Sequence, residues 1–240
     1  RLRRRLPHWR RALSPDDAPG EFGYGEARLS WDRAVSDPFA AIRPFNDDEV
    51  VPVIRRLLRS DEFILAMARL RFGEGARKLA WLLRPALRFY LGRQLRGVHS
   101  VEDLQLRIRP YLERMLTHTT AGFSTSGLEK LDPRRAYLFI SNHRDIVLDP
   151  ALTNYALHRA GHDTLRIAIG DNLLREPWVA DLMRLNKSFI VQRELSGPRE
   201  LLAASKLLSA YIRRSLQQDN APVWIAQRKG RAKDGIDRTE

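Results

Sequence analysis

"AYLFISNHRDIVLDPALTNYALHRAG", residues 136–161, passes from a short apolar run through a polar loop into helical spacing. The first six residues suit a short strand. Asp149 followed by Pro150 suits a helix start, with the acid as N-cap and the imino acid at N1. The same alternation recurs downstream as strand "TLRIAIG" (164–170), helix "EPWVADLMRL" (176–185), strand "KSFIVQR" (187–193), helix "PRELLAASKLLSAYIRRSLQ" (198–217) and strand "PVWIAQ" (222–227). Upstream, "GFSTSG" (122–127) reads as one more strand-like run. Short strands alternating with helices predict an α/β fold, a mostly parallel sheet flanked by helices. In such sheets ligands gather at the carboxyl ends of the strands. His143, Arg193 and the basic run from Arg228 to Lys233 each follow a strand, so three polar loops are expected at one rim.

The first half of the chain has a different texture. Residues 1–45, rich in Arg, Pro, Asp and Gly without a sustained period, read as an irregular basic arm. Four helices are expected over residues 46–120. Asn46 or Asp47 caps the first, Ser60 the second, and Ser100 with Asp103 opens the fourth as a capping box. The third, 75–97, contains Pro85 and is expected to kink there. An N-terminal helical region (46–120) thus precedes an α/β domain (121–240). The first residue is not Met and no terminal element closes the chain, so a piece of a longer protein, continuing past Glu240, is expected.

Charge narrows the function. With 42 Lys and Arg against 29 Asp and Glu, the 240-residue chain carries a net charge of +13. Such a field attracts polyanions: nucleic acid, anionic lipid headgroups, coenzyme phosphates or acidic carrier proteins. The lack of cysteine excludes disulfides, thiolate nucleophiles and Cys-based zinc sites. No apolar run approaches the roughly 18 residues of a spanning helix, and "LAWLL" (79–83) is broken by Arg84. "RLRRRLPHWRR" at the start lacks the apolar core of a secretory signal. Between Glu74 and Glu102 no acid occurs, while arginines alternate with Trp81, Phe89, Tyr90 and leucines. That pattern suits an anionic membrane surface; a core helix with water-facing arginines is the simpler alternative.

Several familiar patterns fail on spacing. His143-Arg144-Asp145 spells a kinase catalytic loop, but Pro150 stands where the magnesium-binding Asn belongs, and no Gly-rich loop or D-F-G accompanies it. "GFSTSG" lacks the spacing of a nucleophile elbow. Gly92 and Gly97 mimic a P-loop with Val98 in place of its Lys. His158 and His162 have metal-like spacing, yet Gly161 ends the helix between them, leaving His158 as a helix-dipole partner.

Asn142, His143, Asp149 and Pro150, read as N-H-x-x-x-x-x-D-P between strand and helix, resemble the first motif of the glycerolipid acyltransferase superfamily. That motif usually has four residues between His and Asp; here there are five, the wider form of the hemolysin-like and ornithine-lipid relatives. "KSFIVQR" is similar to the family's G-x-x-F-I-x-R block, with Arg193 matching and Lys187 in place of Gly. "VWIAQRKGRAKDG" (223–235) is similar to the strand-to-loop block with the E-G-x-R-S core. Gly230, Arg231 and Gly235 match, and Arg228 or Lys229 stands where the glutamate would be. The three blocks come in the family's order across 121–235.

The resemblance implies an acyltransferase acting by general-base catalysis. His143 removes the proton of an acceptor hydroxyl as it attacks a thioester, a task for which imidazole is suited. Asp149 orients the ring, Asp145 being the alternative acid, and no acyl-enzyme forms. Lys187, Arg193, Arg228, Lys229, Gly230 and Arg231 are the expected phosphate and acceptor site; guanidinium offers a planar fork for phosphate. The co-substrate is acyl-CoA or acyl carrier protein, with no cofactor and no metal. The acceptor is a phosphate-bearing glycerolipid such as lysophosphatidic acid. The implied location is cytoplasmic, peripheral on the inner face of the cell membrane and held to its anionic surface. No nucleic acid is expected, since no nucleic-acid fold or stacking motif is present. The rival from another class is a non-catalytic anion-binding module, which the net charge and the missing glutamate favour.

Overall fold

The structure, a computed structural model, describes residues 37–73 and 80–226. Its helices are α1 (Asp47–Arg59), α2 (Asp61–Phe72), α3 (Ala80–Gln94), α4 (Val101–Thr119), α5 (Leu148–Arg159), α6 (Pro177–Leu185) and α7 (Pro198–Gln217). Its strands are β1 (Leu138–Ser141), β2 (Arg166–Gly170), β3 (Ser188–Val191) and β4 (Val223–Ala226). The strands form one all-parallel sheet in the order β1-β4-β2-β3. This is the α/β architecture that the alternating pattern predicts, preceded by helices.

Local chemistry sets the helix starts. The Glu49 carboxylate accepts the Asn46 backbone N–H at 2.7 Å at the head of α1. Ser60 Oγ accepts from Phe63 N at 3.1 Å and opens α2. Ser100 and Asp103 exchange side-chain to backbone bonds, both 3.0 Å, at the head of α4. Each satisfies amide donors that the first helical turn leaves without a partner. Asp47 Oδ1 also accepts from Val101 N at 2.9 Å, joining the starts of α1 and α4. Pro85 lies within α3.

The helical core joins Val50, Ile54, Phe63, Ile64, Leu87 and Leu104 to Leu185 of α6, with Trp178 and Leu182 packed against it. The helices before the sheet and the helix between β2 and β3 therefore share one apolar cluster. Arg56 reinforces the joint with a two-pronged contact to Asp181, at 2.6 and 2.7 Å.

The sheet is covered on both faces. Val223 and Phe189 pack with Tyr211 of α7 on one side, while Trp224 and Ile167 pack with Leu157 of α5 on the other. Adjacent Val223 and Trp224 point to opposite faces, the period of two that a strand imposes. Along β3, the Ile42 carbonyl accepts from Ile190 N at 2.8 Å, so the segment before α1 pairs with this outer strand. An outer strand left unpaired would invite another chain.

Two expectations need correction. "GFSTSG" is not a strand: residues 122–126 run as irregular coil and find no partner in the sheet. Asp149 is not the N-cap of α5, because the helix begins one residue earlier, at Leu148. Asp145 does the capping, its Oδ1 accepting from Val147 N at 2.8 Å and Leu148 N at 2.7 Å.

Candidate active site

β1 ends at Ser141, and the chain turns at once into the loop that carries His143. Asp149, in the first turn of α5, faces back across this loop. Its Oδ2 lies 2.9 Å from His143 Nδ1 and accepts backbone N–H bonds from Arg144 (2.7 Å) and Asp145 (3.0 Å). An ionised carboxylate only accepts, so Nδ1 carries the ring proton and the neutral imidazole keeps its lone pair on Nε2. Among the described residues, Nε2 has no hydrogen-bond partner. The side chains of His143 and Asp149 are 15% and 24% exposed, which shields the pair while leaving it open to a ligand.

Trp224 supports the ring from the neighbouring strand. The two ring centroids lie 5.7 Å apart at 68°, an edge-to-face contact. Trp224 Nε1 donates to Ser141 Oγ at 3.0 Å, and that hydroxyl donates to the Asn142 carbonyl at 3.0 Å. Sequence reasoning missed Trp224 because 83 positions separate it from Ser141 and only the β1–β4 pairing makes them neighbours.

Arg193 follows the carboxyl end of β3, at the same rim as His143. The outer strands β1 and β3 are three strand spacings apart, roughly 14 Å. Gly170 narrows that gap. A Cβ built there would meet Arg193 Nε at 3.1 Å and Cδ at 3.2 Å, and would also collide with Asn172 Oδ1. The Arg193 side chain thus lies over the end of β2, directed inward from the edge strand. Asp171 fixes the loop, its carboxylate oxygens each 3.1 Å from Arg193 N. A Gly-Asp pair closing a strand is a visible signal for such a close approach, and it was overlooked.

Lys187 does not join this group. It precedes β3 and so stands at the amino end of the sheet, roughly 13 Å along the strand from the carboxyl rim. Its Nζ reaches the Thr164 carbonyl at 3.4 Å. Burial pulls its pKa below the ordinary lysine value, Asp163 opposing that shift and Arg166 adding to it. Lys187 and Arg193 look like one phosphate site in sequence, but the strand between them sends them to opposite ends. Arg228, Lys229, Gly230 and Arg231 lie outside the described residues. Among the described residues no three His, Asp or Glu side chains converge as metal ligands.

The pair stands at a strand's carboxyl end, the arrangement that the first motif implies. A family model described as Acyltransferase matches residues 122–228. The chain carries an acyltransferase domain of the glycerolipid acyltransferase superfamily. The matched segment of this acyltransferase holds all four strands, His143, Asp149 and Arg193, and leaves α1–α4 outside. No curated protein matches the chain. Among the described residues of the acyltransferase, no helix is long and apolar enough to cross a membrane.

Proposed function

We propose that this acyltransferase moves a fatty acyl group from acyl-CoA or acyl carrier protein to a hydroxyl of a phosphate-bearing glycerolipid such as lysophosphatidic acid. The observation that carries the reading is the 2.9 Å contact of His143 Nδ1 with Asp149 at the carboxyl rim. With Nδ1–H held by the carboxylate, Nε2 takes the proton of the acceptor hydroxyl as its oxygen attacks the thioester carbonyl. The tetrahedral intermediate expels the thiolate, which leaves as thiol with the proton held on the imidazolium. Asp149 stabilises that cation while it lasts.

Arg193, folded inward over Gly170, is the proposed phosphate anchor. The chain leaves β4 at Ala226, between the strands that deliver His143 and Arg193. Arg228, Lys229, Gly230 and Arg231 come after Gln227 in the sequence and are proposed to complete the anion site. Lys187, at the other end of the sheet, takes no part.

Peripheral contact with an anionic membrane on the cytoplasmic side completes the reading. In α3, Leu83, Leu87 and Leu91 turn into the helical core, and Arg84 and Arg88 pair with Asp61. Phe89 (74% exposed) and Tyr90 (51% exposed) remain outside with Arg93, a combination suited to the headgroup region. The test is thiol release by purified protein given acyl-CoA and lysophosphatidic acid. A His143→Ala variant is expected to lose about 10²–10⁴-fold in rate, and parental activity in that variant overturns the assignment.

A further inference from the structure

His143 is held from two sides, and Asp149 accounts for only one of them. The Asp149 carboxylate fixes Nδ1 and accepts the two peptide N–H groups that follow the histidine, those of Arg144 and Asp145. A single hydrogen bond leaves an imidazole free to swing about it, so the plane of the ring needs a second constraint. Trp224 of β4 supplies one, with the ring centroids 5.7 Å apart at 68°.

The indole is 3% exposed, so its N–H has to find a partner inside the protein. That partner is Ser141 Oγ at 3.0 Å, and the hydroxyl donates in turn to the Asn142 carbonyl at 3.0 Å. The carbonyl belongs to the peptide that joins Asn142 to His143. Trp224 therefore touches the imidazole and, through one hydroxyl, pins the peptide before it. Strand register does not by itself produce this bond. Trp224 pairs with Phe139 across β1 and β4, while Ser141 pairs with Ala226, two positions nearer the carboxyl rim. The indole leans along the strand to reach it, and only a tryptophan brings both an aromatic ring and a donor to that place. β4, Val223–Ala226, carries no charged side chain, so the contact adds no charge beside the ring.

We propose that Trp224, anchored by Ser141, is a positioning residue: it fixes the plane of the His143 ring and with it the direction of the Nε2 lone pair. Its effect on rate rests on the acyl-transfer reading, whereas the ring contact is measured without substrate.

Steady-state rates with acyl-CoA and lysophosphatidic acid give the first measurement. In Trp224→Leu, kcat is expected to fall about tenfold with both KM values unchanged. Trp224→Phe keeps an aromatic ring and should return to within about threefold of the parent. Ser141→Ala leaves the core filled, frees the indole N–H and should cost about threefold in kcat. The second measurement is tryptophan emission from about pH 8 to 5, the range in which an imidazole takes up its proton. An imidazolium quenches an indole that it touches, so a fall in emission that both His143→Gln and Trp224→Phe abolish is expected. Parental kcat in Trp224→Leu and Ser141→Ala, an effect confined to KM, or the absence of that shared fall overturns the proposal. Should Trp224→Leu fail to fold, Ser141→Ala and the emission decide. Parental activity in His143→Ala strikes the acyl-transfer reading and the positioning role together. Parental rates in the Trp224 and Ser141 variants, beside an inactive His143→Ala, strike the positioning role alone.

Discussion

Asp149 Oδ2 lies 2.9 Å from Nδ1 of His143 and also accepts the backbone N–H groups of Arg144 and Asp145. A single oxygen therefore holds the ring and closes the loop that presents it. Six positions separate the two residues. The turn between them stays compact because Asp145 caps the helix on which Asp149 rides.

Replacing Asp149 with Asn keeps an oxygen for the loop and removes the charge that stabilises an imidazolium. Thioester consumption is expected to fall about 10²–10⁴-fold with little change in melting temperature. Asp149→Ala should also cost about 1 kcal/mol of stability, from the loop amides left without their acceptor. Steady-state rates and thermal unfolding of both variants separate the two effects.

Asp145 should behave differently. As a cap it tolerates Asn, and Asp145→Ala should cost about 1 kcal/mol in denaturant unfolding. Asp145→Asn should keep near-parental turnover. A large loss in that variant, with Asp149→Asn active, would reverse the roles of the two acids.

Gly170→Ala places a methyl where Arg193 and Asn172 now lie. Crowding there should cost about 1–3 kcal/mol, relieved in part by displacing Arg193. Under the proposed phosphate role, KM for lysophosphatidic acid should rise about tenfold. KM for a phosphate-free monoacylglycerol should stay unchanged, and equal effects on both acceptors would remove Arg193 from the anion site.

Lys187 gives a pH signature. Its folded pKa lies below the ordinary value of 10.5, chiefly through burial. Between the lowered value and 10.5 the unfolded chain binds more protons, so this group makes stability rise with pH across that window. Below it, the charged amine is a burden. Lys187→Met retains the same backbone strain and removes the titration. Its advantage in melting temperature over the parent should be largest near neutrality and shrink as pH rises toward that window's upper end. A constant difference would contradict the burial of the amine.

Helix positions were legible because their signals are local. Asn46, Ser60 and Ser100 act within a turn of themselves, and α7 spans the stretch that its periodicity marks. His143 and Asp149 were legible for the same reason: strand, loop and helix start follow one another without interruption. The sequence alone thus determined the α/β alternation, the parallel sheet and the pairing of that histidine with a nearby acid. Strand order is a different matter. β4 inserts between β1 and β2 through pairing between distant segments, for which no neighbouring residues provide a signal. Only the tertiary structure therefore brought Trp224 against the imidazole, folded Arg193 across Gly170, left "GFSTSG" without a strand partner, and sent Lys187 to the far end of the sheet. Propensity and capping act over a few residues, whereas which strands adjoin, and which loops share a rim, depends on the folded whole.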